Sequence, residues 1–370
     1  MNRRLSELHV ENFRSLREVT LPLNPVNVLV GPNGAGKTNV LEVFRFLADM
    51  AAKDMEPAFK ERDGYWDVVS WGDEPSVEMR IGLKGTWTSF SSQDALDEYN
   101  LELRPMANQI LHRTTFRFKR FERSGRRITL SAPGAFPSGR LIEESPESVL
   151  AKGTLLTEGV SETTSIDGQV GPAEFTDRLA SLRHVGVDAD LGHSVAAVLA
   201  LRADESAWQH LVEDARHALP HLADIVVEDL PGGEVGVVLH EWNLRHPTPL
   251  DKASHGTVRL LGLLALLHDP EPPVLTCIEN IDTGIHPQAL ELLVERIREA
   301  SDRTQFLITT HSPALVDRLR PEELVVCERG NDGASIIPAL STYQVKAIVA
   351  EAQRAPLGEL WLSGALGGDL

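Results

Sequence analysis

Apolar and polar residues alternate from Leu5 to Phe13 and again from Val19 to Leu23. Alternation of that period predicts two strands, around a turn that carries Asn12-Phe13-Arg14-Ser15-Leu16. A continuous apolar run, Val26 to Val30, then predicts a buried strand. The period changes after residue 37: Val40, Leu41, Val43, Phe44, Phe46 and Leu47 recur at helical spacing. Residues 52–75 are mixed and rich in charge and tryptophan. Short alternating segments return over 76–130, as in Ser76 to Leu83 and Thr114 to Phe121, and predict antiparallel strands. Residues 132–175, rich in Pro, Gly, Ser and Glu, read as long loops or a mobile insertion. A helical stretch covers 191–219, with Leu199, Trp208, Leu211, Val212 and Ala215 as core candidates, and Pro220 ends it. Two strands, Asp224 to Asp229 and Glu234 to Glu241, follow around Pro231-Gly232-Gly233. From residue 251 helices and strands alternate: helix Thr257 to His268, strand Pro273 to Ile278, helix His286 to Ala300, strand Gln305 to Thr309. The fold class is therefore α/β, with an antiparallel β lobe and an inserted lid region between two halves of the main domain.

The strand-to-helix junction carries the first chemistry. Within Gly31-Pro32-Asn33-Gly34-Ala35-Gly36-Lys37-Thr38, the residues Gly31, Gly36, Lys37 and Thr38 fit the spacing of a phosphate-binding loop. Glycines let the backbone wrap so that successive N–H groups aim at one anion, and the helix N-terminus adds partial positive charge. Lys37 can reach the β- and γ-phosphates, and the Thr38 hydroxyl can ligate Mg²⁺. A glycine-rich turn without a ligand would share the spacing but has no need of the apolar strand before it or the amphipathic helix after it. Asn33, Gly34, Ala35, Gly36, Lys37 and Thr38 are accordingly expected to bind a nucleotide.

Val274 to Glu279 is an apolar strand ending in a carboxylate, the place where an α/β phosphate site holds its metal. Thr38 and Glu279 are thus the expected Mg²⁺ residues. Lys252-Ala253-Ser254-His255-Gly256-Thr257 precedes an apolar helix; Ser254 suits an N-cap, and Gly256 lets an anion approach free backbone N–H groups. An ordinary cap would account for Ser254 and leave Gly256 unexplained. His311 ends a strand in Thr310-His311-Ser312-Pro313 and is a candidate γ-phosphate contact.

Composition narrows the class. The chain has 370 residues, 42% of them hydrophobic and 24% charged, and a net charge of −18. That balance excludes a wholly basic nucleic-acid-coating protein and leaves room for a local basic groove. Cys277 and Cys327 lie in apolar runs and read as buried thiols of a reducing compartment. No apolar signal core follows Met1-Asn2-Arg3-Arg4 and no long uncharged span occurs later, so a cytoplasmic protein without a membrane partner is expected. Residues 113–127 carry Arg113, Arg117, Lys119, Arg120, Arg123, Arg126 and Arg127 against Glu122, interleaved with Phe116, Phe118 and Phe121 around Ser124-Gly125. A nucleic-acid contact would use that pattern, but a half-solvated hairpin with inward phenylalanines explains it equally simply and is preferred.

In order, Asn12-Phe13-Arg14-Ser15-Leu16, the GPNGAGKTN loop ending at Asn39, Ser254-His255-Gly256-Thr257, the IENIDTGIHP run from Ile278 to Pro287 and Thr309 to Pro313 resemble the ABC-type ATPase heads of the RecF, SMC and OLD group. Within it, the resemblance is to compact bacterial AAA family ATPases related to the OLD ATPase domain, which often occur in phage-defence modules. It covers residues 5–50 and 190–365 and leaves the middle unplaced. It implies a P-loop NTPase with a split nucleotide-binding domain that closes as a homodimer around two ATP molecules. The P-loop of one subunit, with Asn39, would face Ser254 and Gly256 of the other; Arg14 would lie near the phosphates and His311 would be the switch histidine. Glu279, Asn280 and His311 form the implied catalytic group.

Two departures from the family pattern stand out. The second acid that usually polarises the attacking water is here Asn280, and the following proline and acid are Ile281 and Asp282. An amide orients water but cannot take its proton, and loss of a general base costs about 10²–10⁴-fold. The signature loop also carries His255 where small or acidic residues are usual. About sixty residues follow His311, too few for the Toprim domain of OLD nucleases, so no intrinsic nuclease is expected. The expected boundaries are 1–95 for the first lobe of the head, 96–250 for hairpins and lid, and 251–370 for the second lobe. The function expected is a slowly hydrolysing ATPase that controls DNA or a separate effector, a nuclease or toxin. A nucleotide-gated scaffold without turnover and a RecF-like DNA-repair ATPase are the alternatives; a transporter subunit fits poorly, because no coupling segment is evident.

Overall fold

The computed structural model describes residues 4–53, 55–69, 78–88, 91–106, 109–119, 127–137, 172–186, 191–229, 235–352 and 355–367. Strands β1 (Leu5–Phe13) and β2 (Leu16–Pro22) form a hairpin with Val10 opposite Val19. Its tight turn holds Asn12 and Arg14 in the left-handed region, at φ 61° and 48°, and the Arg14 N–H donates to the Val68 carbonyl at 2.8 Å. Strand β3 (Val26–Val30) is buried at all five positions, as its unbroken apolar run predicts. Strands β4 (Met79–Gly85), β5 (Asp97–Met106), β6 (Gln109–Lys119) and β7 (Arg127–Pro137) join the first hairpin in a six-stranded sheet of order β2-β1-β4-β5-β6-β7. That sheet takes strands from both sides of residue 95, so the first lobe and the start of the middle segment share it.

Period-2 alternation gives this sheet two unlike faces. Leu8, Val10, Ile81, Leu83, Tyr99, Leu101, Leu103 and Phe116 are buried with the helix Lys37–Lys53. The opposite face carries cross-strand ion pairs: Glu7 with Lys84, Glu11 with Arg80, Glu98 with Arg117 and Glu102 with Arg113. Arg113 and Arg117 of the basic segment are therefore matched by acids of the neighbouring strand, and Phe116 packs inward. Residues 120–126, with Arg120, Phe121 and the Ser124-Gly125 turn, lie outside the described residues, as does 138–171 of the expected insertion. Residues 132–137 are strand rather than loop. Pro133 and Pro137 lack an N–H for a ladder, and β7 is the edge strand, where one missing donor costs nothing to a neighbour. The helix Pro172–Ala180 takes up the end of the stretch read as loop.

Strand β8 (Arg183–Val185) follows, then two helices where the sequence read one. Leu191–Leu201 and Glu205–Ala218 are separated because the Asp204 carboxylate accepts from the Ala207 N–H at 2.9 Å and caps the second. Strands β9 (Leu222–Asp229), β10 (Val235–Glu241) and β11 (Thr248–Pro249) make a small antiparallel sheet. The helix His255–Leu267 leads to β12 (Leu275–Ile278), the helix Pro287–Ala300 to β13 (Gln305–Thr309), and a short turn of helix to β14 (Leu324–Val326). With β3 and β8 these strands form a parallel sheet of order β14-β3-β13-β12-β8. Its faces separate two cores: Leu29, Cys277, Leu307 and Cys327 point into the first, and Val28, Ile278, Ile308 and Val326 into the second. Both cysteines are buried and unbridged. A ribbon of β15 (Glu328–Arg329) and β16 (Ser335–Ile336) follows. Among the described residues, no helix is long and apolar enough to cross a membrane. The carboxyl ends of β3, β12, β13 and β14 share one edge of the parallel sheet, where such folds place their ligands.

Candidate nucleotide site

Residues 31–38 link β3 to the helix Lys37–Lys53. Gly36 has φ 96°, and a Cβ there would stand 2.1 Å from the Ser335 hydroxyl oxygen and 2.9 Å from that of Ser15. Any larger residue would push the loop off both. The Lys37 ammonium curls back and donates to the carbonyls of Gly31 at 2.8 Å and Pro32 at 2.9 Å, leaving the residue only 6% exposed. Burial lowers its pKa, and the neighbouring Cys327 opposes the shift. The Thr38 hydroxyl donates to the Glu279 carboxylate at 2.7 Å, across 241 residues of sequence. Asn39 donates to the Ser15 hydroxyl at 2.7 Å, and its own oxygen lies 3.5 Å from the Arg14 guanidinium. Arg14 thus lies beside the helix that the loop starts. Asn33 is exposed, Ala35 is buried, and the Gly34 carbonyl accepts from Arg329 Nη1 at 2.9 Å.

Glu279 leaves the end of β12 with its N–H on the Val185 carbonyl at 2.8 Å. Arg259, buried on the helix His255–Leu267, donates to the backbone carbonyls of Glu279 at 2.9 Å and Asn280 at 3.0 Å. One buried cation so fixes the backbone of both residues. Asn280 has φ 45°, a left-handed conformation that asparagine tolerates better than most residues. Its N–H donates to the Thr309 hydroxyl at 2.8 Å, which in turn donates to the Asn280 side-chain oxygen at 3.2 Å. Two residues on, the Asp282 carboxylate accepts from the Thr310 hydroxyl. His311 is exposed at the end of β13; desolvation first and then Lys37 lower its pKa, and Asp282 opposes them. At neutral pH its ring is held in the uncharged form.

Ser254 caps the helix His255–Leu267, its hydroxyl accepting from the Thr257 N–H at 3.2 Å. Gly256 has a cause that sequence reasoning did not see: a Cβ there would lie 2.2 Å from the Gly284 carbonyl. The helix start is pressed against the turn that follows Glu279. Among the described residues, no hydrogen bond joins Ser254 or Gly256 to residues 31–38 of the same chain. The structure therefore pairs Thr38 with Glu279 and Arg14 with Asn39, folds Lys37 back on its own loop, places Asn280, Asp282 and His311 on the adjoining strand ends, and sets Ser254 and Gly256 apart. Arg259 had one legible signal, a lone arginine in an apolar helix; Ser335 and Arg329 had none.

Residues 26–317 match the family described as "AAA domain, putative AbiEii toxin, Type IV TA system". The OLD nuclease of Thermus scotoductus is 32% identical over 87 residues, 24% of this chain and 16% of that protein. The DNA replication and repair protein RecF of Limosilactobacillus reuteri is 49% identical over 95 residues, 24% of each. The chain thus spans only 16% and 24% of the length of these two relatives. A solved Smc head bound to the C-winged helix domain of ScpA superposes with a TM-score of 0.58 at 12% identity, over 95% of this chain and all of that one. With the family match running from β3 past His311, the chain belongs to the AAA family of that description, and its relatives and fold are those of the ABC-type ATPases of the RecF, SMC and OLD group.

Proposed function

We propose that the chain binds ATP with Mg²⁺, closes as a homodimer around it, hydrolyses it slowly and controls a separate effector through the closed state. The observation that carries this reading is the Thr38–Glu279 contact at 2.7 Å beside a buried lysine. A hydroxyl and a carboxylate are hard oxygen donors of the kind Mg²⁺ takes, so the residues fit the metal. Bound Mg²⁺ would neutralise phosphate charge and orient it for in-line attack. Lys37, released from the Gly31 and Pro32 carbonyls, is suited to the β- and γ-phosphates, with the N–H groups of Asn33 to Thr38 around them. His311 is suited to hold a γ-phosphate oxygen. Asn280 orients water and leaves its proton without a carboxylate acceptor. Ser254 and Gly256, away from their own loop, suit the nucleotide bound by a second copy.

An effector role is supported by the toxin system in the family description, by a relative that is a nuclease and by a neighbour solved with a protein bound. A place in phage defence follows from that reading. DNA is a weaker partner, since Arg113 and Arg117 already have acids. Asn280 favours one second reading, a nucleotide-gated scaffold with no turnover. Light scattering with and without ATP and Mg²⁺, beside phosphate release, separates the two; a chain that stays monomeric with MgATP overturns both.

Glu279→Gln tests the metal. The amide can still accept from Thr38, so the fold is kept while the charge is lost. ATP affinity in Mg²⁺ is expected to fall about tenfold, the equivalent of about 1.4 kcal/mol, and to stay unchanged in EDTA. A variant that matches the wild type's affinity in Mg²⁺ as well as in EDTA would remove Glu279 from the metal site.

A further inference from the structure

We infer that Arg329 is a positioning residue of the nucleotide site, holding the crown of the phosphate-binding loop in its receptive form. This rests on the nucleotide reading above. Arg329 lies on β15, directly opposite Ser335 on β16. That one cross-strand pair touches the loop at two places. Arg329 Nη1 donates to the Gly34 carbonyl at 2.9 Å. Ser335 bonds the Ser15 hydroxyl at 2.7 Å, its N–H donates to the Ser15 carbonyl at 2.8 Å, and its hydroxyl fills the space a side chain on Gly36 would need.

The Gly34 carbonyl and the Ala35 N–H belong to one planar trans peptide, so fixing the oxygen fixes the N–H on the other side. That N–H lies in the turn, 3.3 Å from the Pro32 carbonyl, and the peptide is thus held from both sides. Gly34, at φ 79°, has no side chain of its own to resist rotation. A loop kept in one conformation before the nucleotide arrives loses less freedom on binding.

Charge adds to the geometry. Of the ribbon's two acids, Glu328 precedes Arg329 on β15, and Asp332 is taken by Arg17 at 2.8 Å and by the Ala334 N–H. Among the described residues, Arg329 has no carboxylate within ion-pair distance. A guanidinium beside the loop that is not held in an ion pair favours a polyanionic ligand such as a nucleoside di- or triphosphate over a neutral one. A surface staple would be served as well by pairing Arg329 with an acid.

The test is calorimetric binding of MgADP to wild type, Arg329→Ala, Arg329→Lys and Lys37→Ala, with melting temperatures measured without nucleotide. Arg329→Ala should raise the Kd about tenfold and move the nucleotide-free melting temperature by less than about 2 °C, since the side chain is exposed. Arg329→Lys, which keeps a charged donor, should recover the affinity to within about threefold. A wild-type Kd for Arg329→Ala, with Lys37→Ala unable to bind, overturns the assignment and leaves the P-loop reading standing. Equal loss in the alanine and lysine variants with a clearly lower melting temperature also overturns it, as a plain structural staple. Wild-type binding by Lys37→Ala would bring down the nucleotide reading and this inference with it.

Discussion

Lys37→Ala is expected to weaken ATP binding by about 100-fold or more and to abolish any ATP-dependent dimer. The ammonium is buried at 6% exposure, in a place where water screens little, and its present partners are two backbone carbonyls 2.8 and 2.9 Å away. Neutral carbonyls are weaker partners than phosphate oxygens, so the lysine gains by changing them when an anion arrives. Removing one member of a buried charge-to-charge hydrogen bond costs about 2–5 kcal/mol, and about 2.7 kcal/mol is already 100-fold. The fold should survive. The glycines and the strand before them are untouched, and the Gly31 and Pro32 carbonyls lose a donor at a cost of about 1–3 kcal/mol, part of it recovered because no cation is left desolvated. Titration calorimetry with MgATP, light scattering and a melting curve on the same sample check all three statements. A variant that binds and dimerises like the wild type would sink the P-loop assignment.

How much of this site could be read in the sequence depends on how local each residue's cause is. Gly31 to Thr38 sit in one strand–loop–helix unit whose spacing carries its own geometry, and Glu279 is marked by the apolar strand it ends. Gly256 shows the limit. Its sequence neighbourhood suggested an anion site at a helix start, yet its lack of a side chain is required by the Gly284 carbonyl, 28 residues further on, which only the folded chain brings to it. Arg259 is similar: the carbonyls it holds are those of Glu279 and Asn280, on another element. Arg329 and Ser335 belong to a two-residue ribbon too short to show a periodicity and reach the loop through tertiary contact alone. In the fold, the antiparallel strands were legible because one face is buried and the other charged. The end of β7 was not, since its prolines are the usual signs of a loop and only its edge position makes them harmless.

Asn280→Glu is the change expected to speed the enzyme up, by about tenfold or more in single-turnover hydrolysis of MgATP. Asn280 follows Glu279 at the end of β12, and its amide is held in place by Thr309 on the adjoining strand, so a longer side chain with a carboxylate would start from a fixed backbone. Arg259 fixes the carbonyls of the two peptides that flank residue 280 and does not depend on its side chain. The substitution has a cost. At φ 45° asparagine is among the better-tolerated residues, and glutamate there should lower stability by about 1 kcal/mol. A faster but slightly less stable protein is therefore the expected pair of results, and the ATP-bound dimer should live for a shorter time because it decays through hydrolysis. Asp282 competes for the same role. It is the next carboxylate on the turn, it is held by the Thr310 hydroxyl, and it is close enough to His311 to act on its charge. That bond to Thr310 occupies one carboxylate oxygen and leaves the second, so the position does not disqualify it. Asp282→Asn decides between them. Fast turnover in the wild type that collapses only in Asp282→Asn would move the base two residues along. Slow turnover that ignores Asn280→Glu would put the defect in the signature loop, where His255 replaces a small or acidic residue. The result expected is slow wild-type turnover, little changed by Asp282→Asn and raised by Asn280→Glu, because position 280 combines a braced backbone with an amide where the resemblance implies an acid.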